Sequence, residues 1–288
     1  MKPAPFEYHA PATVEEAVAV LAQLGDEAKV LAGGQSLVPL MSMRLASPAH
    51  VVDINRLDEL DTVEATGEQV RVGALARHAR VEHDDAAHAA APLLRQAVVN
   101  VAHPTIRNRG TVVGSLVHAD PAAELPAVLM LLGGVVEVRD VDGSQEVPSA
   151  EFFLGPMQSA LRPGQLAVAA RFDCAPERSG SAFIEQSRRH GDYAVCGVGA
   201  LVTRDTDGGV DSARAALIGV GDGPVLVDLA EAVTGSGTDA TFDAAAVGGL
   251  VDGAIDPADD IHASAAYRRH LAHVLTVRAL VQARDRAA

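Results

Sequence analysis

Apolar positions recur along the chain at spacings that change from segment to segment, and each spacing predicts an element. Val14, Ala17, Val18, Leu21 and Leu24 fall on one face at the helical period. Thr13 with Glu16 makes a capping box before that helix, and Gly25 stops it. Lys29 to Ala32 reads as a short buried strand, and Leu37 to Leu45 as a helix after a Gly33-Gly34 turn. His50 to Ile54 is a second β-branched run, so the first 55 or so residues predict a β-α-β unit. From Leu57 the period shortens. Val63, Val70 and Val72, with Gly67 between, predict a hairpin.

Further along, Ala76 to His88 and Leu93 to Val101 predict helices, the second opened by Pro92. His103 to Pro121 has little periodicity and many hydrogen-bond donors. Ala122 to Leu132 is an apolar helix with Glu124 and Pro126 in its first turn, ended by Gly133-Gly134. Val135 to Val138, Val147 to Phe153 and Leu166 to Phe172 predict strands. The chain turns polar around Cys174 to Gly180, the candidate boundary. Strands follow over Ala182 to Ser187, Tyr193 to Val202 and Arg214 to Gly219, then Ala-rich helices, the longest from Ser264 to Ala283.

Composition narrows the class. The chain has 288 residues, 48% of them hydrophobic, enough for cooperating subdomains with real cores. With 23 Lys plus Arg against 38 Asp plus Glu, the formal charge is −15. A phosphate-backbone surface needs clustered positive charge, so nucleic acid is not an expected partner. The two cysteines, Cys174 and Cys196, lack C-x-x-C spacing and cannot alone hold a zinc ion or an iron–sulfur cluster. With no apolar leader, no span long enough for a bilayer and no disulfide framework, the expected location is the cytoplasm.

Two stretches carry candidate chemistry. In Ala32-Gly33-Gly34-Gln35-Ser36-Leu37 the glycines permit close backbone approach, and free amides of the next helix point into the turn. Such a turn suits a diphosphate. Arg107 to Ser115 is a second donor loop, with Thr111, Gly114 and Ser115 offering hydroxyls and amides without bulk, and Asp120 and Glu124 offering acceptors beyond it. Two such loops can clamp a long dinucleotide. His78, His83 and His88, spaced by five, do not form the i, i+4 metal-binding pair and read as solvated. His103 reads as a turn-shaping residue, and Asp192 as a charge partner for Arg188 or Arg189. No Ser-His-Asp or paired-carboxylate arrangement stands out, so no catalytic residue and no metal ligand is assigned.

The ordered motifs Ala32-Gly33-Gly34-Gln35-Ser36, Ile106-Arg107-Asn108-Arg109-Gly110-Thr111, His118-Ala119-Asp120-Pro121-Ala122-Ala123-Glu124-Leu125-Pro126 and Arg188-Arg189-His190-Gly191-Asp192-Tyr193-Ala194 resemble the FAD-binding medium subunit of molybdenum hydroxylases. That family includes the carbon monoxide dehydrogenase and xanthine dehydrogenase type enzymes. The resemblance implies an α+β fold: a two-lobed FAD-binding domain of the vanillyl-alcohol oxidase or PCMH type over residues 1–176, with lobes of about 1–56 and 57–176. A smaller α+β domain, a β-sheet with helices, is implied over 177–288.

It further implies an oxidoreductase subunit carrying FAD, with molybdopterin and two [2Fe-2S] clusters in partner subunits. The partners would be a small iron–sulfur subunit and a large molybdopterin subunit, assembled as a dimer of heterotrimers. By the same resemblance Ala32, Gly33, Gly34, Gln35, Ser36 and Leu37 hold the diphosphate, with Thr111, Val112, Val113, Gly114 and Ser115 as the second wall. Asp120, Glu124, Leu166 and Ile184 are further contact positions, and Tyr193 is placed near the isoalloxazine ring. Val113 stands where the family usually has glycine, so it is expected at negative φ with its side chain turned from the flavin. Gln35 replaces a histidine found in the carbon monoxide enzymes, and Ile184 a lysine found in some relatives. A stand-alone flavin oxidoreductase and a flavin-free scaffold remain open as alternatives.

Overall fold

The structure, a computed structural model, describes residues 2–287. In the first lobe β1 (Glu7–His9), α1 (Val14–Leu24), β2 (Ala28–Leu31), α2 (Leu37–Ser42) and β3 (His50–Asp53) follow in turn. The strands pair in parallel in the order β1-β3-β2, the β-α-β pattern read from the sequence. α1 buries Val14, Ala17, Val18 and Leu21, as its period predicts. Thr13 Oγ1 accepts from the Glu16 N–H at 3.1 Å. The Glu16 carboxylate reaches back to the Ala12 N–H, one residue beyond the usual capping-box partner. α2 is shorter than the expected Leu37 to Leu45, because the chain turns out of it at Arg44, which has φ 59.

The second lobe opens with the expected hairpin, β4 (Val63–Ala65) and β5 (Gln69–Gly73). The helix expected over Ala76 to His88 is broken into α3 (His78–His83) and α4 (Asp85–Ala90), because the Asp84 carboxylate accepts from the Ala87 N–H and starts a new helix. α5 (Pro92–Val98) begins at its proline and ends short of Val101. The segment read as aperiodic is in fact α6 (Pro104–Arg107) and α7 (Val112–His118), each under two turns, too short for a period to show. α8 (Glu124–Leu132) is buried on nearly every side. Then come β6 (Gly134–Asp140), β7 (Gly143–Pro148), the helical turn α9 (Ser149–Phe152), the ribbon β8 (Phe153–Gly155) with β9 (Gln158–Ser159), and β10 (Leu166–Asp173). The strand expected over Val147 to Phe153 thus ends at Pro148. These strands close an antiparallel sheet ordered β4-β5-β10-β6-β7.

The last part is the antiparallel sheet β11 (Ser179–Ser187), β12 (Ala194–Arg204), β13 (Val210–Ile218) and β14 (Val225–Asp228). A small ribbon, β15 (Val233–Thr234) with β16 (Thr241–Phe242), precedes α10 (Ala244–Ala254) and α11 (Ala265–Arg286). α11 starts where Ser264 Oγ accepts from the Tyr267 N–H. β12 is buried without alternation from Ala194 to Val202 because both faces are covered. Val198, Ala200 and Val202 join the core beneath α10 and α11, whereas Leu201, with Ala216 and Ile218 of β13, joins the core that contains α8. The Gly219 N–H donates to the Pro121 carbonyl at 2.8 Å, tying this sheet to the turn before α8.

Candidate functional site

The Gly33-Gly34 turn lies where the two lobes meet. Gly34 has φ +71, a conformation that disfavours any Cβ. Gly33 is glycine for a different reason: a Cβ there would strike the Arg109 carbonyl oxygen and come within 2.8 Å of the Gly110 Cα. The N–H groups of Gly34, Gln35, Ser36 and Leu37 have no acceptor among the described residues, and Val38 is the first to bond back, to the Gly34 carbonyl at 3.0 Å. Ser36 occupies the N-cap position of α2, but its hydroxyl caps nothing and stays available. Gln35 instead donates to the Gly33 carbonyl at 3.1 Å.

A polar network fixes this turn. Asn55 Nδ2 donates to the Ala32 carbonyl at 2.8 Å and to Asp53 Oδ1 at 2.6 Å. Arg77 donates to Asn55 Oδ1 and to the Arg109 carbonyl, each at 2.6 Å, so one guanidinium joins the two turns across the lobes. Tyr8 donates to Asp53 Oδ2 at 2.6 Å. Burial works to raise the Asp53 pKa, but hydrogen bonds from Tyr8 and Asn55 outweigh it and hold the carboxylate below its usual range. Sequence reading missed these residues; nothing in the local pattern around Asn55 or Arg77 marks them, since their partners are distant in the chain.

Two adjoining hollows share Ala32 to Gln35 and form one cleft. The smaller is bordered by Asp53, Asn55, Arg77 and Arg109. The larger, of ≈ 810 Å³, runs past Thr111 and Glu124 to Gly191-Asp192-Tyr193. That volume suits a cofactor-sized ligand. Ala32 to Leu37, Thr111, Val113, Gly114, Ser115, Asp120, Glu124, Leu166 and Tyr193 all line it. Val112 does not, being buried in the core of the N-terminal half. Ile184 does not either; it packs against the core under α10 and α11.

The second wall differs in detail from its sequence reading. Arg107 is no ligand donor: it is buried, paired with Glu82 at 2.8 Å, and turned to the carbonyls of Val101 and Ala102. Thr111 caps α7, accepting from the Gly114 N–H at 3.1 Å, and the Ser115 N–H bonds to the Thr111 carbonyl. Both amides are therefore spent on the helix, which leaves the Val113 N–H and the Ser115 hydroxyl. Val113 has negative φ, as expected, since it is helical and absent from the positive-φ residues. Its side chain is buried in the core of the N-terminal half, while the residue borders the cleft. Ala102 and Met157, also on the lining, are held at φ 46 and φ 54, a strained backbone of the kind that collects at functional sites.

The titratable groups are unusual. Glu124 is buried at the start of α8, and burial, with the nearby charges of Glu185 and Asp120, pushes its pKa up to about 8. Burial pushes Glu185 up to about 7, and its Oε2 has no partner. His78 lines the cleft but is buried, not solvated, because α3 turns it under Gly110. Neither ring nitrogen has a hydrogen-bond partner among the described residues, and burial holds its pKa down at about 4, so the ring is neutral. His83 is exposed, as expected, and His88 is half-buried. Tyr193 is 70% exposed at the mouth, with its ring accessible from the cleft. Asp192 forms no ion pair with Arg188 or Arg189, its backbone N–H donating instead to the Arg189 carbonyl. His103 stands at the N-cap position of α6 without a side-chain cap bond, and its ring packs edge-on to His190 at 6.0 Å.

The chain is similar over its whole length to known proteins. Residues 4–172 match the FAD binding domain in molybdopterin dehydrogenase, and residues 181–283 the CO dehydrogenase flavoprotein C-terminal domain. The 6-hydroxypseudooxynicotine dehydrogenase complex subunit alpha of Paenarthrobacter nicotinovorans is 39% identical, over 100% of this chain and 97% of its own. The caffeine dehydrogenase subunit beta of Pseudomonas sp. is 37% identical, over 99% and 97%. Among solved structures, carbon monoxide dehydrogenase from Hydrogenophaga pseudoflava matches with TM-score 0.92 and 35% identity over 100% of both chains. Quinoline 2-oxidoreductase from Pseudomonas putida 86 matches with TM-score 0.89 and 32% identity, over 100% and 99%.

Proposed function

The chain belongs to the FAD-binding medium subunits of the molybdenum hydroxylase family, an oxidoreductase family, and from that footing we propose that it passes electrons between an iron–sulfur partner and an external acceptor. The observation that supports this best is the single cleft with unpartnered amides on its first wall and a buried acid on its second. The residues fit FAD. Gly34 to Leu37 would hold the diphosphate through backbone N–H groups, and the Val113 N–H and Ser115 hydroxyl would close on it from α7. Glu124, protonated at neutral pH, offers a hydrogen-bond donor where an ionised carboxylate could only accept. Neutral His78 offers one donor and one acceptor beneath the Gly110 turn.

FAD, when bound, supplies a centre that takes electrons singly or in pairs, which suits it to sit between iron–sulfur clusters and a two-electron acceptor. The protein's own task is to bind, orient and shield it. In this proposal two [2Fe-2S] clusters lie in a small partner subunit and molybdopterin in a large one. The complex is a dimer of such heterotrimers in the cytoplasm, and the boundary between the chain's own domains falls at 176/177, between β10 and β11. No helix among the described residues is long and apolar enough to cross a membrane.

Purification of the complex from its native host tests the reading. Two further polypeptides are expected, one cysteine-rich and one much larger, with molybdenum, iron and FAD in the preparation. Acid denaturation should release the FAD into the supernatant, because the proposal assigns no attachment through a histidine or a cysteine. Turnover of an organic substrate by this chain alone would favour a stand-alone oxidoreductase. A chain that stays colourless after reconstitution would favour a scaffold.

A further inference from the structure

Outside the cleft, the parallel pairing of β1 with β3 brings two imidazoles and a carboxylate together. Glu7 and His9 are two residues apart on β1, so they stand on the same face of the sheet. His50 is the register partner of Glu7 on β3. His9 Nε2 lies 3.1 Å from His50 Nδ1, and Glu7 Oε2 lies 3.5 Å from that same nitrogen. One donor atom from each residue falls within 4.8 Å of the other two. A hydrogen bond between the imidazoles accounts for the first contact alone; it does not account for a third donor converging on the same nitrogen. On the far side of the ring, His50 Nε2 faces the Glu27 carboxylate at 3.9 Å. Carboxylates orient metal-bound histidines through this distal nitrogen.

We propose that Glu7, His9 and His50 form a binding site for a divalent cation of the zinc type, with a fourth position open to water. Tetrahedral zinc with nitrogen and oxygen ligands at about 2.0–2.2 Å spaces its donors by about 3.3 Å. The two separations at His50 Nδ1, 3.1 and 3.5 Å, bracket that spacing. Two imidazoles with one carboxylate select zinc, nickel, cobalt or copper over magnesium and calcium, which take oxygen ligands. Accessibility is graded in the way a metal site needs. The His50 side chain is 15% exposed and held in place, whereas that of Glu7 is 75% exposed and closes from solvent. A bound cation joins the short edge strand β1 to the central strand β3.

The test is independent of flavin. The full chain, stripped with chelator, is titrated with zinc chloride by calorimetry and with cobalt(II) by visible absorption. One equivalent of zinc should bind with a dissociation constant in the micromolar range or below, cobalt should give the intense bands of a tetrahedral site, and magnesium should give no heat. His9→Ala and Glu7→Gln should each weaken zinc binding by roughly tenfold or more. His83→Ala, at an exposed position of α3, should leave it unchanged. Circular dichroism checks that each variant folds, and Glu7→Gln, changed only at an exposed carboxylate, keeps the test decisive if a histidine variant does not. Zinc binding only at millimolar concentration, or unchanged affinity in folded Glu7→Gln and His9→Ala, would overturn the site and leave a hydrogen-bonded histidine pair.

Discussion

Gly33 is pressed against Arg109 so closely that the carbonyl of one occupies the space where the other would carry a Cβ. The contact joins the two lobes at the point where the first wall of the cleft turns. Gly33→Ala must therefore move the lobes apart and shift the amides of Gly34 to Leu37. Each lost charge-assisted hydrogen bond to a diphosphate costs roughly 1.5–3 kcal/mol, so FAD affinity should fall tenfold or more. Gly34→Asp should weaken it too, adding a carboxylate near the phosphates and forcing a side chain into positive φ. A flavin titration checks both. Full flavin retention in either folded variant would take this turn out of the site.

Arg77 is the clamp across that contact, with one nitrogen on each lobe. Arg77→Ala leaves the Arg109 carbonyl and Asn55 Oδ1 without this donor, and should destabilise the fold by about 1–3 kcal/mol. Arg77→Lys should recover only part, because a single ammonium cannot span two acceptors as a planar fork does. Urea unfolding of the flavin-free protein measures both. Equal stability of the lysine variant and the wild type would show that charge, not geometry, is what Arg77 supplies.

Glu124 and His78 should give the flavin-free protein opposite pH responses. The folded pKa of Glu124 is raised from 4.5 to about 8. Between those values the folded state holds a proton the unfolded chain has lost, so stability falls as pH rises, by about 5 kcal/mol at the limit. For His78 the folded pKa is lowered from 6.5 to about 4, so its contribution is lost as pH falls through that window. Melting curves of Glu124→Gln should lose part of the decline between pH 5 and 8, the remainder belonging to Glu185, whose pKa burial raises to about 7, and those of His78→Gln should lose part of the acid-side decline. An unchanged pH profile in Glu124→Gln would mean the residue ionises normally in the fold.

Val113→Gly puts in the glycine expected from the family resemblance, yet it should not improve the site. The valine sits unstrained in α7 and is buried at 2% exposure. Removing it forfeits burial worth roughly 1.5–3 kcal/mol and adds about 1 kcal/mol for glycine in a helix. The melting temperature should drop while FAD affinity changes by less than about threefold. Tighter flavin binding with higher stability would show that Val113 strains the loop.

The candidate site was legible in part, for identifiable reasons. Gly33, Gly34 and Thr111 stand out because turns and caps are written in residues next to each other, and Glu124 because it opens a strongly apolar helix. His78 was misread as solvated: its burial comes from Gly110 passing over it, and nothing within a turn of His78 announces that contact. Arg107, which opens the second donor loop, carries no local sign of its ion pair, because its partner, Glu82, lies on another helix. Ile184, one of the expected contacts, faces a different core because the β11 register turns it there.

Local physics and pattern thus determined a good deal from sequence alone. The Thr13 cap, the apolar face of α1, the parallel β-α-β start, the β4-β5 hairpin and the long final helix need only neighbours within a few residues. Ordered motifs determined the family. Only the tertiary structure decided which amides remain free, which acid is buried and which glycine is a contact and not a turn. Those properties depend on what a distant segment brings alongside: Arg109 against Gly33, Asn55 on Ala32, Glu185 near Glu124, His50 beside His9. Period and capping are short-range and leave a trace in the chain, whereas desolvation and close approach arise only once remote segments are packed together.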